Sequence, residues 1–311
     1  MRTRILLLLA ALLASATGCK WIEDMKQGAT PRPKPGGPIP EVSADVFVNF
    51  LNDRAEKLKT IEFNDTRMRV SGKGIPVPAT LDGNLAAAQP RYFRMVSSAR
   101  VASAKMDMGS NAQEFWVYVA APGDSPLYVF ASHSDFESGR AKMPGGIPFE
   151  PEWVMQALGM VNFPSTHQYA VATNDRERTY TLSWTSPTPG GGSVRKEIVF
   201  DADRATGNHP QVKRHVLRNS KTNSLIATAE IKSAQTERVG GLVPGMGLPA
   251  AIQYPTHIVL KWEDPKFEMD LNLDKAVVNQ SMTDDPTRRG YFAKPDIKGA
   301  TPIDLARYDF K

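Results

Sequence analysis

The segment Phe267-Glu-Met-Asp-Leu-Asn-Leu273 alternates apolar and polar residues without a fault. A period of two belongs to a strand with one face buried. Arg67-Met-Arg-Val-Ser71 alternates in the same way. Further strand candidates run over 81–88, 91–99, 113–120, 126–132, 167–173, 178–185, 194–202, 211–219, 224–236 and 255–263. Turn signals at Pro122-Gly-Asp124, Pro189-Gly-Gly-Gly192 and Ala205-Thr-Gly-Asn208 separate several of them. The pattern gives about a dozen strands with no strand–helix alternation, which excludes a doubly wound parallel sheet. The expected fold is mainly β with a few helices: one large antiparallel sheet, curled or nearly closed into a barrel.

Two helices interrupt this pattern. Ser43 stands at an N-cap position, and Phe47, Phe50, Leu51, Leu58 and Ile61 follow it at helical spacing. Asp45 in the first turn suits the helix dipole. A short second helix is expected over 151–160, with Pro151 at its first position and Gly159 near its end. Its Trp153, Val154, Ala157 and Leu158 would pack on the sheet as a lid.

Phe115-Trp-Val-Tyr-Val119 and Leu127-Tyr-Val-Phe-Ala131 are apolar or aromatic on both faces and need cover on both sides. A helix can cover one face. A second layer or an apolar ligand space can cover the other. Gly240 to Ala250 reads as an apolar loop, folded over its own core or held against a partner or membrane. Residues 279–311 read as an irregular extension wrapping the sheet edge. No internal repeat of fixed period is present.

The chain has 311 residues, 41% apolar and 23% charged, enough for a sizeable core and too apolar for general disorder. Its 38 Lys+Arg and 33 Asp+Glu give +5; without Arg2 and Arg4 the balance is 36 against 33, or +3. That is too mild for a dedicated nucleic-acid surface. One cysteine excludes an intrachain disulfide framework and a Cys-rich zinc site.

That cysteine is placed informatively. Arg2 and Arg4 precede an apolar run from Ile5 to Ala16, which is too short to span a bilayer comfortably. Ala16-Thr-Gly-Cys19 follows and resembles the lipobox of bacterial lipoproteins. Small residues fit the peptidase cleft, and Cys19 supplies the thiol for the lipid thioether. The resemblance makes 1–18 a signal peptide and Cys19 a lipidated N-terminus. An ordinary signal peptide with an incidental Cys is the alternative. Lys20, in place of the Asp that retains enterobacterial lipoproteins at the inner membrane, points by analogy to the outer membrane, facing the periplasm. Three acyl chains on one Cys suffice for stable anchoring. Residues 19–42 then form a Pro-rich tether of roughly 70 Å at full extension, and 43–311 form the body.

Catalytic motifs are missing. The five histidines are scattered, and no HExxH, G-x-S-x-G or Walker A pattern occurs. His209 and His215 near Asp201 and Asp203 make at most a weak metal constellation. Gly245-Met-Gly-Leu-Pro-Ala250 mimics a dinucleotide fingerprint without its βαβ context. Asp284-Asp285 and Arg288-Arg289 read as surface turn residues. The expectation is no enzyme, no cofactor and no metal.

Gly83-Asn-Leu85, Pro90 and Phe93, then Asp107-Met-Gly109, then Phe115-Trp-Val-Tyr118, resemble the core of the bacterial lipoprotein-sorting carriers and receptors, the LolA/LolB-like family. The close match spans about 83–118. The resemblance implies an unclosed β-barrel with a helical lid, and between them an apolar cavity for lipid or lipoprotein acyl chains. Each buried methylene is worth about 0.8 kcal/mol, so such a protein must hide many of them. Methionine and aromatic side chains suit a variable chain. The candidate lining is Phe93, Met95, Trp116, Tyr118, Tyr128, Phe130, Trp153 and Trp184; ordinary core packing is the alternative for each. The carrier's arginine before the motif proline is here Gln89, with Arg91 and Arg94 nearby, so its lid-opening role does not transfer. The resemblance implies lipoprotein localisation or lipid transfer. An envelope scaffold or stress sensor using the same fold to bind a protein partner is the second possibility.

Overall fold

The computed structural model describes residues 37–308 except 74, 101–103, 122, 124, 142–150, 189–191, 207–208, 243–248, 265 and 281–289. A helix, α1 (Ala44–Lys57), leads into a meander of six strands: β1 (Thr60–Gly72), β2 (Ile75–Ala88), β3 (Tyr92–Ser98), β4 (Lys105–Ser110), β5 (Glu114–Ala120) and β6 (Leu127–Ser132). Two short helices follow, α2 (His133–Glu137) and α3 (Pro151–Leu158). A second meander comprises β7 (Ala170–Asn174), β8 (Thr179–Thr188), β9 (Gly192–Thr206), β10 (His209–Asn219), β11 (Leu225–Leu242), β12 (Pro249–Trp262) and β13 (Phe267–Val278). A 3-10 turn (Gly290–Phe292) and a two-residue strand, β14 (Ile303–Asp304), end the chain.

All fourteen strands form one curved sheet in the order β14-β6-β5-β4-β3-β2-β1-β13-β12-β11-β10-β9-β8-β7. The two meanders join where β1 pairs with β13, with Met68 opposite Leu271 and Val70 opposite Met269. The ends of the order, β14 and β7, are not paired to each other, so the barrel is unclosed. Every pairing is antiparallel except β14 with β6. The expected mainly β, unclosed architecture is the observed one.

The alternation that defines the strands also defines the inner face. Ile61, Phe63, Met68 and Val70 of β1 point inward, their phase adjusted by a register shift between Phe63 and Thr66. Helix α1 buries Phe47, Val48, Leu51 and Ala55 against Tyr180, Leu182, Ile198 and Phe200. It stops at Lys57, earlier than expected: Leu58 is its C-cap and Ile61 already belongs to β1. Ser43 holds the N-cap position, yet its side chain makes no cap bond. The Gln89 amide donates to the Ala55 and Leu58 carbonyls, which the helix itself leaves unpaired.

Two further expectations are corrected. Asp107-Met-Gly109 lies within β4, a strand missing from the candidates above. A Gly and a short length masked the strand, while its partners on both sides hold it. Gly240–Leu242 and Pro249–Ala250 belong to β11 and β12, which pair through Leu242 and Pro249; 243–248 lie outside the described residues. Cys19 and most of the tether also lie outside them. The tether's last residues sit on the body: Ile39 is buried in the α1 cluster, and the Tyr180 hydroxyl donates to the Pro40 carbonyl.

The C-terminal segment crosses the outer face of β3–β6. Arg94 donates to the Tyr291 carbonyl and Asn111 to the Phe292 carbonyl. Lys294 pairs with Glu114 at 2.7 Å. The Leu305 amide donates to the Phe130 carbonyl. This strap covers the second face of the doubly apolar strands.

Candidate functional site

The eight residues expected to line one cavity occupy three places. Phe93, Met95 and Trp153 lie in the main inner cluster. Trp184 lies in the second cluster, against Phe163 and Tyr169 beside α1. Trp116, Tyr118, Tyr128 and Phe130 face outward, because they alternate with the inward Phe115, Val117, Val129 and Ala131.

The outward set has its own chemistry. The Trp116 indole N–H donates to Asp107 Oδ1 at 3.0 Å, and Arg94 donates to both Asp107 oxygens at 3.2 and 2.7 Å. The carboxylate is thus neutralised and bonded on both oxygens, which permits its burial. Tyr128 donates its hydroxyl to the Pro295 carbonyl, and burial pushes its pKa up to about 12. Lys294 sits 3.4 Å over the Phe130 ring. Tyr128 and Phe130 thus bind the strap to the sheet, while Trp116 packs on β4 and Tyr118 meets the Tyr128 ring.

The inner cluster is rich in methionine: Met68, Met95, Met106, Met108, Met155, Met160 and Met269 are all buried in it. Sequence reasoning singled out only Met95. Met106 and Met108 alternate along β4, and that spacing was the available signal. Helix α3 lies over this cluster and buries Trp153, Val154, Met155, Ala157 and Leu158. Trp153 meets Trp262 edge-on at 5.7 Å. Among the described residues, these side chains pack together between α3 and the sheet.

Among the described residues, few polar contacts hold α3. Arg91 reaches Glu152 of α3 and Glu137 of α2, both at 2.9 Å. Arg54 of α1 donates from Nη2 to the Leu158 carbonyl at 3.0 Å and from Nε to the Gln253 carbonyl at 2.9 Å. Gly159 follows the helix at φ +83°, and a Cβ there would fall 2.2 Å from Arg54 Nε. Glycine supplies both the left-handed turn and room for the guanidinium.

Two inward polar residues stand out: Arg54, which sequence reasoning passed over, and His215, which it weighed only as a weak metal ligand. Arg54 continues the apolar stripe three residues after Leu51, and His215 shares the phase of Leu217 in β10. Both positions were legible as inward-facing. Burial lowers the Arg54 pKa to about 10. Burial first, then the nearby Arg54 charge, lowers His215 to about 3. Among the described residues, neither His215 ring nitrogen has a hydrogen-bond partner.

The opposite face of β7–β12 carries an open trough of about 690 Å³ lined by Arg195, Glu197, Arg214, Arg218 and Glu230 among others. Glu197 pairs with both Arg195 and Arg218. Asp201 and Asp203, considered beside His209 and His215, instead meet Lys213 and Arg178. Among the described residues no three His, Cys, Asp or Glu side chains cluster to hold a metal, and no helix is long and apolar enough to cross a membrane.

No family model matches the chain, and no curated protein matches it. Solved structures do. A LolA superfamily protein from Nitrosomonas europaea aligns over 82% of this chain and 99% of its own, at 11% identity and a TM-score of 0.44. A DUF1329 family protein from Desulfovibrio piger covers 80% and 95%, at 14% identity and 0.46. A domain assigned to outer membrane lipoprotein sorting from Vibrio parahaemolyticus covers 80% and 99%, at 10% identity and 0.49.

Proposed function

We propose that this chain is a lipoprotein, anchored through Cys19 on the periplasmic side of the outer membrane, that binds acyl chains non-covalently for lipoprotein localisation or lipid transfer. One observation carries the reading. A methionine-rich apolar interior lies under an eight-residue helix that few polar contacts retain. Methionine repacks at low cost, so such an interior can exchange a helix for a hydrocarbon chain. In this reading α3 occupies the acyl site when no ligand is bound and swings away when one enters. Phe93, Met95 and Trp153 stay candidate lining residues. Trp184 belongs to the adjoining cluster, and Trp116, Tyr118, Tyr128 and Phe130 face outward, the last two against the strap.

The test uses the mature-length chain with Cys19→Ala, which needs no detergent. A fluorescent fatty acid should bind with saturable blue-shifted emission, and native mass spectrometry should show co-purified lipid. Absence of both would overturn the reading. A second reading, a scaffold or stress sensor for a protein partner, is favoured by the packed interior together with the charged trough on the opposite face. It predicts no acyl binding, and loss of partner capture when Arg195 and Arg218 are both replaced by Glu.

A further inference from the structure

The two inner apolar clusters are divided by polar groups that the packing leaves incompletely matched. Arg54 stands between Leu51, in one cluster, and Leu58, in the other. It is 8% exposed, and its bonds are to the Leu158 and Gln253 carbonyls. Among the described residues no carboxylate lies within ion-pair distance of it. The adjacent Asp53 is already paired with Lys57 at 2.6 Å. His215, 2% exposed, faces inward between Ile198 and Ala229, with both ring nitrogens unpartnered.

A cation buried without a counter-ion and a ring buried without a partner are both costly in an apolar core. An anion that reaches both relieves both. Beside Arg54 lies a space of about 80 Å³, lined also by Phe50, Asp53, Lys57, Thr236, Ile252 and Gln253, in which Lys57 already neutralises Asp53. That is room for a few waters, at roughly 30 Å³ each, or for one carboxylate.

We propose that the interior takes a single-chain lipid acid, its carboxylate held by Arg54 and His215 at the junction of the two apolar clusters. This rests on the acyl-chain reading above and names the ligand class. The planar guanidinium has donors beyond the two already used, in the fork geometry that a carboxylate accepts. His215, neutral in its buried position, adds an N–H. The hydrocarbon tail lies along the methionine-lined cluster that α3 vacates. Since Arg54 also holds the last carbonyl of α3, a carboxylate competing for Arg54 loosens the lid at the moment of binding.

The experiment compares palmitic acid, methyl palmitate and palmitoyl-lysophosphatidic acid as competitors of a neutral acyl probe on the mature-length Cys19→Ala chain. Palmitate should bind about tenfold more tightly than methyl palmitate, the strength of a charge-assisted pair. Arg54→Met should bring the ratio close to one, even where the lost bond to α3 shifts the affinity for acid and ester alike, and His215→Leu should reduce the ratio in part. Equal binding of acid and ester by the parent chain overturns the proposal and leaves the acyl-chain reading standing. Binding of neither overturns the reading itself. Tighter binding of lysophosphatidic acid than palmitate reassigns the head to phosphate and overturns the carboxylate. Should Arg54→Met not fold, the acid–ester ratio of the parent chain still decides, and Arg54→Lys should retain part of it.

Discussion

Gly109 lies directly opposite Trp116 in the β4–β5 pairing, and a methyl group on Gly109 would sit 2.2 Å from Trp116 Cζ2. The indole therefore lies flat across a backbone that has no side chain at that point. This puts its N–H against Asp107, which Arg94 also binds. Three residues of the sequence motif, Asp107, Gly109 and Trp116, form one packed unit on the outer face. Gly109→Ala should push the ring off its seat and cost about 2–3 kcal/mol, the usual price of overpacking. Urea denaturation checks this. An unchanged midpoint would show that the ring has another place to go.

His215 makes stability depend on acid. Its folded-state pKa is depressed to about 3, against roughly 6.5 when unfolded. Above the unfolded value both states are neutral and the residue contributes no pH dependence. Below it the unfolded chain takes up the proton first, so stability falls as pH drops from about 6.5 toward 3, by an amount on the order of a few kcal/mol. His215→Leu should flatten that part of the profile. Chemical melts of the two chains between pH 7 and 4 should diverge, and parallel curves would contradict the assignment.

Arg91 ties α2 and α3 together through Glu137 and Glu152, but both carboxylates are about half exposed or more. Exposed pairs are worth about 0–1 kcal/mol. Arg91→Ala should therefore change the melting midpoint little. If α3 is the lid, the same change should raise the rate of acyl-probe uptake measured by stopped flow. A large loss of stability with no change in uptake would mean that the pair supports the fold and does not restrain a lid.

Anchoring is tested apart from the fold. Cys19→Ala should move the chain from the membrane fraction to the soluble one and abolish incorporation of labelled palmitate. Persistent membrane association would show that another segment holds it there.

Much of this molecule is written in the chain's local pattern. The faultless alternation of Phe267–Leu273, the turn residues and the lack of a helix–strand rhythm specify an antiparallel sheet, since each strand's period follows from its own residues. Pro151 and Gly159 mark α3 for the same reason. Which face each strand turns inward, and what then covers the other, depends on partners far along the chain. Trp116 reads as a lining residue until β4 is placed beside it and sets Asp107 against its indole. Arg54 reads as an ordinary helix residue, and His215 as a strand residue with at most a weak metal role. Only the meeting of α1, α3, β10 and β12 leaves them buried with too few partners, because burial and hydrogen bonding are properties of the assembled surroundings.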